Sequence, residues 1–276
     1  MSWLARLSLH YRRDGERTVA HDHHQGPLRV LQRLYPEGPA VCHHVLLHPP
    51  GGVAGGDVLE VQARLEAGTH ALVTTPGATR FYRSEGERAE QRCSLHLARG
   101  ARLEWLPMEA IAHPGCQALN HLCATLEPGA EMIGWDVLAL GLPASDQPFD
   151  AGEFTQHLEW PGVWLERARI AAADTLLHQS PLGWAGHDVL ATAWLAAGTP
   201  WTGSRCQQLL DVARDALAGH ALSATAGVTA VQPSVLVLRV LAPGVEPAME
   251  LLSRVRAAWR QAAWRLPAEP PRIWRT

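Results

Sequence analysis

The chain has 276 residues, 47% of them hydrophobic, enough to bury a sizeable core as one large domain or two small ones. A formal charge of −3 gives no basic surface for nucleic acid or an anionic membrane, although every one of the 24 basic residues is Arg. No run approaches the ~18 apolar residues of a membrane span, and the opening MSWLARLSLHYRRDGER reaches charge too early for a signal peptide. The expectation is a soluble, cytoplasmic protein that contacts neither nucleic acid nor membrane.

The first element that the sequence announces is AVCHHVLLHPP, a strand stopped by Pro49 and Pro50. HPPGGVAGGD (48–57) follows, with four glycines and a closing acid, Asp57. A phosphate loop needs Gly-Lys-Ser or Gly-Lys-Thr opening a helix. Here Gly56 leads through Asp57 into VLEVQARLE, which alternates like a strand, so the loop reads as a wide turn between strands. Residues 60–141 then carry a weak repeat: LEAGTHALVTT from Leu65, LARGARLEWLP from Leu97 and LEPGAEMIGWDVL from Leu126. Each reads as a hairpin, a strand end, a turn centred on Gly68, Gly100 or Gly129, and a second strand; stacking buries the apolar faces that a single unit cannot. The first two thirds are therefore expected to be β, in layered sheets, with LPASDQPFDAGE (142–153) as a surface loop.

HDVLATAWLAAG (187–198) is ambiguous: its alanines favour helix, its setting among turns favours strand. Next comes a helix whose capping box pairs Ser204 with Gln207, carries Leu210, Ala213 and Leu217, and ends at Gly219. ALSATAGVTA and SVLVLRVLA read as a strand pair. A longer helix spans 246–266, with Met249, Leu252, Val255, Trp259, Ala262 and Leu266 on one face and Arg254, Arg256, Arg260 and Arg265 largely elsewhere. No linker divides the chain, so residues 1–276 are expected to form one domain.

The chemical motifs are sparse. Five cysteines without a CxxC pair are expected to be free, buried or half-buried thiols. HDHHQ (21–25) and CHH (42–44) suggest metal ligands, but neighbours on a strand point to opposite faces, so His43 and His44 cannot easily share an ion. Four acids, Asp57, Glu109, Asp136 and Glu166, sit in or beside apolar strand-like segments. A carboxylate near a core is costly unless it is paired or wetted. Each is either an arginine's partner or part of a polar channel suited to a passing divalent cation. Trp is abundant at 11 residues against three Phe, and some of it is expected on partner-facing surface.

Six segments in order, GPLRV (26–30), LYPEG (34–38), HPPGGVAGGD (48–57), TTPGATRFYRS (74–84), LEWLP with Glu109 (103–109) and RIWRT (272–276), resemble the urease accessory protein UreD (UreH) family from about residue 7 to the end. The resemblance implies a non-enzymatic protein folded as a helix-like stack of β-sheets with two helices in its C-terminal region, and it tips 187–198 toward strand. It also implies partners: a UreF-like protein, a UreG-like GTPase and the urease apoprotein. No cofactor is implied as tightly bound; nickel passes transiently, with Asp57, Glu109, Asp136 and Glu166 as candidates along its path. The chain departs from the family pattern at Leu31, Met108, Pro114 and Leu142. Two other readings stand beside this one: a metal-dependent hydrolase using the His-rich segments, and a β-rich interaction module with no metal role.

Overall fold

A computed structural model describes residues 2–275; Met1 and Thr276, the last residue of the RIWRT motif, lie outside the described residues. The chain starts with two antiparallel pairs, β1 (Leu4–Asp14) with β2 (Arg17–Gln25) and β3 (Arg29–Leu34) with β4 (Val41–Leu47). The Gly-rich loop follows and contains a two-residue strand, β5 (Gly52–Val53). The three repeat units come next. β6 (Val58–Leu65) turns into β7 (His70–Thr74), and β8 (Thr79–Phe81) leads on. β9 (Ala89–Leu97) turns into β10 (Arg102–Leu106), followed by β11 (Ala110–Ala112). β12 (Cys116–Leu126) turns into β13 (Glu131–Leu140). After a loop come the hairpin β14 (Gly152–Trp160) and β15 (Trp164–Ala171), the short helix α1 (Thr175–Gln179) and β16 (Val189–Ala197). The chain closes with α2 (Gly203–Leu217), β17 (Ala226–Gln232), β18 (Val235–Ala242) and α3 (Val245–Trp264).

The repeat units are not hairpins. The two strands of each unit do not pair with each other: β6, β9 and β12 lie in one sheet, β7, β10 and β13 in another. Pairing instead runs from repeat to repeat, parallel, in both sheets. Each turn is thus an arch over the core, and its glycine takes a left-handed conformation, with φ of +69° at Gly68, +67° at Gly100 and +79° at Gly129. Period-2 alternation cannot distinguish an arch from a hairpin, because both put the apolar faces of the two strands on one core.

The first sheet has seven strands, ordered β15-β14-β12-β9-β6-β1-β2. The second has eleven, with the main path β17-β18-β16-β13-β10-β7-β4-β3. One core fills the space between the sheets, with Leu7, Val61, Leu95, Leu122, Phe154, Trp194 and Val237 among its members. Another lies between the second sheet and the long helices, where Trp135, Leu195, Leu236 and Val240 meet Leu210, Leu251, Val255 and Trp259. The second sheet is therefore buried on both faces, which is why SVLVLRVLA is a nearly unbroken apolar run. The ambiguous 187–198 segment supplies β16 for the same reason: it is a central strand flanked by β13 and β18.

Four local expectations need correction. The cap of α2 is Thr202, whose hydroxyl accepts the Arg205 N–H, because the chain turns helical one residue before Ser204. The short helix α1, capped by Asp174, is additional to the two long ones. The tryptophans are mostly core: Trp105, Trp135, Trp160, Trp184, Trp194, Trp259 and Trp264 are buried, and among the described residues Trp3 alone of them is exposed. Arg256 and Arg260 lie on the buried side of α3, not on its solvent face. The cysteines, as expected, are free, with three buried and two half-buried.

Candidate polar route between the sheets

β13 sends alternate residues to opposite cores. Ile133, Trp135 and Val137 face the helices, so Asp136 faces the first sheet. There a row of amides stands opposite it. Gln91, Asn120 and Gln156 are registered neighbours across β9, β12 and β14. Asn120 Nδ2 donates to Asp136 Oδ2 at 2.6 Å, and Gln91 Nε2 donates to Asn120 Oδ1 at 3.1 Å. The Gln156 amide, also buried, approaches Asp136 without forming a well-aligned hydrogen bond. Thr192 and Arg239, registered beside Asp136 in the second sheet, continue the polar row, and Arg239 Nη2 donates to Glu166.

The two ends of this row line different cavities. Asp136, Gln156, Glu166, Thr192 and Arg239 line one of about 340 Å³ whose rim includes Leu182, 99% exposed. Gln91 lines the other, of about 370 Å³, with Cys93, Trp105, Pro107 and the Gly-rich loop residues His48, Gly51 and Gly52. Burial pushes the Asp136 carboxyl up to about 6; the Gln156 and Asn120 amides pull it back only partly, and the charge of Glu166 pushes in the same direction as burial. Burial likewise raises Glu166, with Arg239 opposing. Neutral His48 sits at the second cavity; burial lowers its pKa, Asp57 opposes that, and its Nε2 has no protein partner.

The four acids singled out in the sequence occupy three places. Asp136 and Glu166 share a cavity. Asp57 is 4% exposed and staples the Gly-rich loop, its Oδ1 accepting the Trp3 N–H at 3.1 Å and its Oδ2 the Ala54 N–H at 3.0 Å. The glycines beside it are packing residues: a Cβ on Gly52 would fall 2.2 Å from the Tyr82 ring, and on Gly55 2.4 Å from Ser84 Oγ. Glu109 lines a separate cleft with Met108, Glu246, Glu250 and Trp274, and its Oε2 is buried without a partner.

The His-rich segments do not converge. His43 Nε2 bonds Glu37 and His44 Nδ1 bonds the Tyr11 hydroxyl, on opposite faces of β4 as their adjacency requires. Among the described residues, neither segment belongs to a group of three metal-ligating side chains.

A site that sequence reasoning missed lies on the helix side. Glu104, fully buried on β10, accepts a hydrogen bond from Arg256 Nε at 2.7 Å, and Arg256 Nη2 makes an ion-pair contact 2.6 Å from the same oxygen. Its other oxygen lies 3.3 Å from Arg260 Nε and 3.4 Å from His70 Nε2. Arg260 Nη2 also pairs with Glu37, which bonds His43 at 2.7 Å. Burial raises the Glu104 pKa, but His70 and the two guanidinium groups outweigh it and hold the carboxyl at about 2. Two signals could have found it: Glu104 alternates with Leu103 and Trp105 inside a strand, and Arg256 and Arg260 are spaced i, i+4 beside the helix's apolar seam.

Stacked parallel arches, closed by two long helices and carrying a buried row of amides and carboxylates inside, define a solenoid-like β scaffold. The chain belongs to the UreD family: the family model described as "UreD urease accessory protein" matches residues 4–275. Similar proteins include the urease accessory protein UreD of Leptothrix cholodnii, 60% identical over the whole of both chains. That of a Polaromonas species is 59% identical over 99% of both, and that of Methylibium petroleiphilum 50% identical over the whole of both.

Proposed function

We propose that this chain serves urease maturation in the cytoplasm as a scaffold that binds a UreF-like protein, through it a UreG-like GTPase, and docks on apo-urease, with nickel passing through its interior as cargo. The observation that carries the nickel step is the Gln91–Asn120–Asp136 hydrogen-bonded row, whose two ends line different cavities between the sheets. Amide and carboxylate oxygens in a wet passage suit a divalent cation that must be released as well as captured. Asp136 and Glu166 would hold the cation at the cavity that opens beside Leu182, and Asp57 would act through the Gly-rich loop at the other; Glu109, in its separate cleft, would act outside this row.

At an effective dielectric of ~20, a carboxylate and a dication ~5 Å apart attract by roughly 7 kcal/mol before desolvation is subtracted. Asp136→Asn and Glu166→Gln remove that attraction while keeping shape. Assembled with UreF, UreG and apo-urease, the double variant is expected to give normal complex yield and nickel incorporation reduced by about tenfold or more. Asp57→Asn and Glu109→Gln test the ends in the same assay. Normal nickel incorporation in the Asp136/Glu166 double variant would refute the route.

A further inference from the structure

The outer face of the first sheet carries a cluster unconnected with the inter-sheet row. His121 on β12 and His157 on β14 are registered partners, their ring centroids 4.3 Å apart. Glu159, two residues along β14 on the same face, approaches His157 Nε2 at 3.1 Å. One ligand atom from each of the three lies within 4.8 Å of the others. The strands holding them are flanked on both sides, by β9 and β15, so the backbone frame is fixed. His121 Nε2 is buried with no hydrogen-bond partner, although a stacked surface imidazole would ordinarily reach water or a neighbour.

We propose that His121, His157 and Glu159 form a surface site for a borderline divalent transition metal such as Zn²⁺ or Ni²⁺. The donor set decides the class: two imidazoles and one carboxylate suit such ions, whereas Mg²⁺ and Ca²⁺ prefer oxygen alone. A tetrahedral Zn²⁺ with bonds of ~2.0–2.1 Å separates its ligand atoms by about 3.4 Å, a spacing that rotation of the half-exposed Glu159 side chain brings within reach. Three protein ligands leave a coordination position open to water on the solvent side.

Imidazole must be neutral to bind a metal. The surrounding charges also limit affinity. Arg92 stands opposite His121 but is engaged by Glu60 and Glu90, while Arg167 stands opposite His157 on β15. Cys123 is registered opposite Glu159.

The site is independent of the proposed nickel route, and the experiment separates the two. Metal-free full-length chain is titrated with Zn²⁺ at pH 7.5, alongside His121→Ala, His157→Ala and the Asp136→Asn/Glu166→Gln double variant. Loss of either histidine is expected to weaken the strongest Zn²⁺ site by about tenfold or more, while the inter-sheet double variant leaves it unchanged. Arg167→Ala is expected to tighten it. Zn-edge X-ray absorption of the wild-type chain at substoichiometric metal is expected to show two imidazoles, a readout that needs no variant. Unchanged Zn²⁺ affinity in both histidine variants, no uptake by the wild type, or an all-oxygen shell would each overturn the proposal.

Discussion

Two buried acids set the two cores of this molecule apart. Glu104, between the second sheet and the helices, is held at about 2; Asp136, between the sheets, is raised to about 6. Desolvation pushes both upward. The difference lies in the partners: Glu104 meets two guanidinium groups and an imidazole, Asp136 only amides and another carboxylate. The helix-side core thus holds a closed, compensated charge set, Glu104 and Glu37 against Arg256 and Arg260. The inter-sheet core holds charge that is incompletely answered and sits beside empty volume. Compensated burial is a structural device, whereas uncompensated burial persists where the group does something other than stabilise the fold.

The sharpest way to break this contrast is Glu104→Ala, which leaves two guanidinium groups buried beside Glu37 alone. A loss of about 3–5 kcal/mol in urea unfolding is expected. Replacing Glu104, Arg256 and Arg260 by Leu, Met and Leu together with Glu37→Gln removes the charges as a set and is expected to be near neutral or stabilising by comparison. A loss below about 1 kcal/mol for Glu104→Ala alone would mean that the network is wetter than its geometry.

Asp136→Asn is expected to act in the opposite direction, stabilising the isolated chain by up to about 3 kcal/mol at pH 7.5, one pKa unit being worth about 1.4 kcal/mol. The pH dependence gives the sign. Asp136 rises from its ordinary 3.8 to about 6, so it costs nothing at low pH; its penalty grows as pH climbs through that interval and is complete above it. The wild type and Asp136→Asn should therefore converge in stability below about pH 4. Glu104 falls from 4.5 to about 2, so its contribution is full above 4.5 and lost as pH drops toward 2. Acid unfolding should track Glu104. A stability gap between wild type and Asp136→Asn that does not change with pH would show that Asp136 is not the titrating group.

The smallest expected effect comes from Asn120→Leu, which keeps the volume and removes the donor to Asp136. One hydrogen bond to a charged group is worth about 1.5–3 kcal/mol at most, so the Asp136 pKa should rise by about a unit, read from its carboxyl carbon in an NMR titration. An unmoved pKa would assign the tuning to Gln156 alone.

Much of this architecture was legible in the chain. The glycines at 68, 100 and 129 marked the turns, the last third showed its two long helices, and six ordered segments identified the family. Arches were read as hairpins because alternation encodes which face is buried and is silent on which strand is the partner. The Ser204 cap missed by two residues because Thr202, also a good cap, stands just upstream. The buried arginines were misassigned because a charged residue on a helix is normally solvated; only pairing with Glu104, 152 positions away, makes burial tolerable, and no local pattern encodes that. Asp136 and Glu166 share a cavity, a juxtaposition that depends on the register of two sheets and that no local pattern encodes.

The closing charge network also sets a schedule for biosynthesis. Arg256 and Arg260 lie 152 and 223 residues beyond their partners Glu104 and Glu37, and α3 is the last long element to leave the ribosome. The arches can stack as they emerge, since each contacts its predecessor. The outer face of the second sheet cannot close: until α3 arrives it presents a wide apolar surface with two acids whose counter-ions do not yet exist. A nascent chain of this topology therefore spends most of its synthesis half-covered, and truncation anywhere before residue 260 leaves it so permanently.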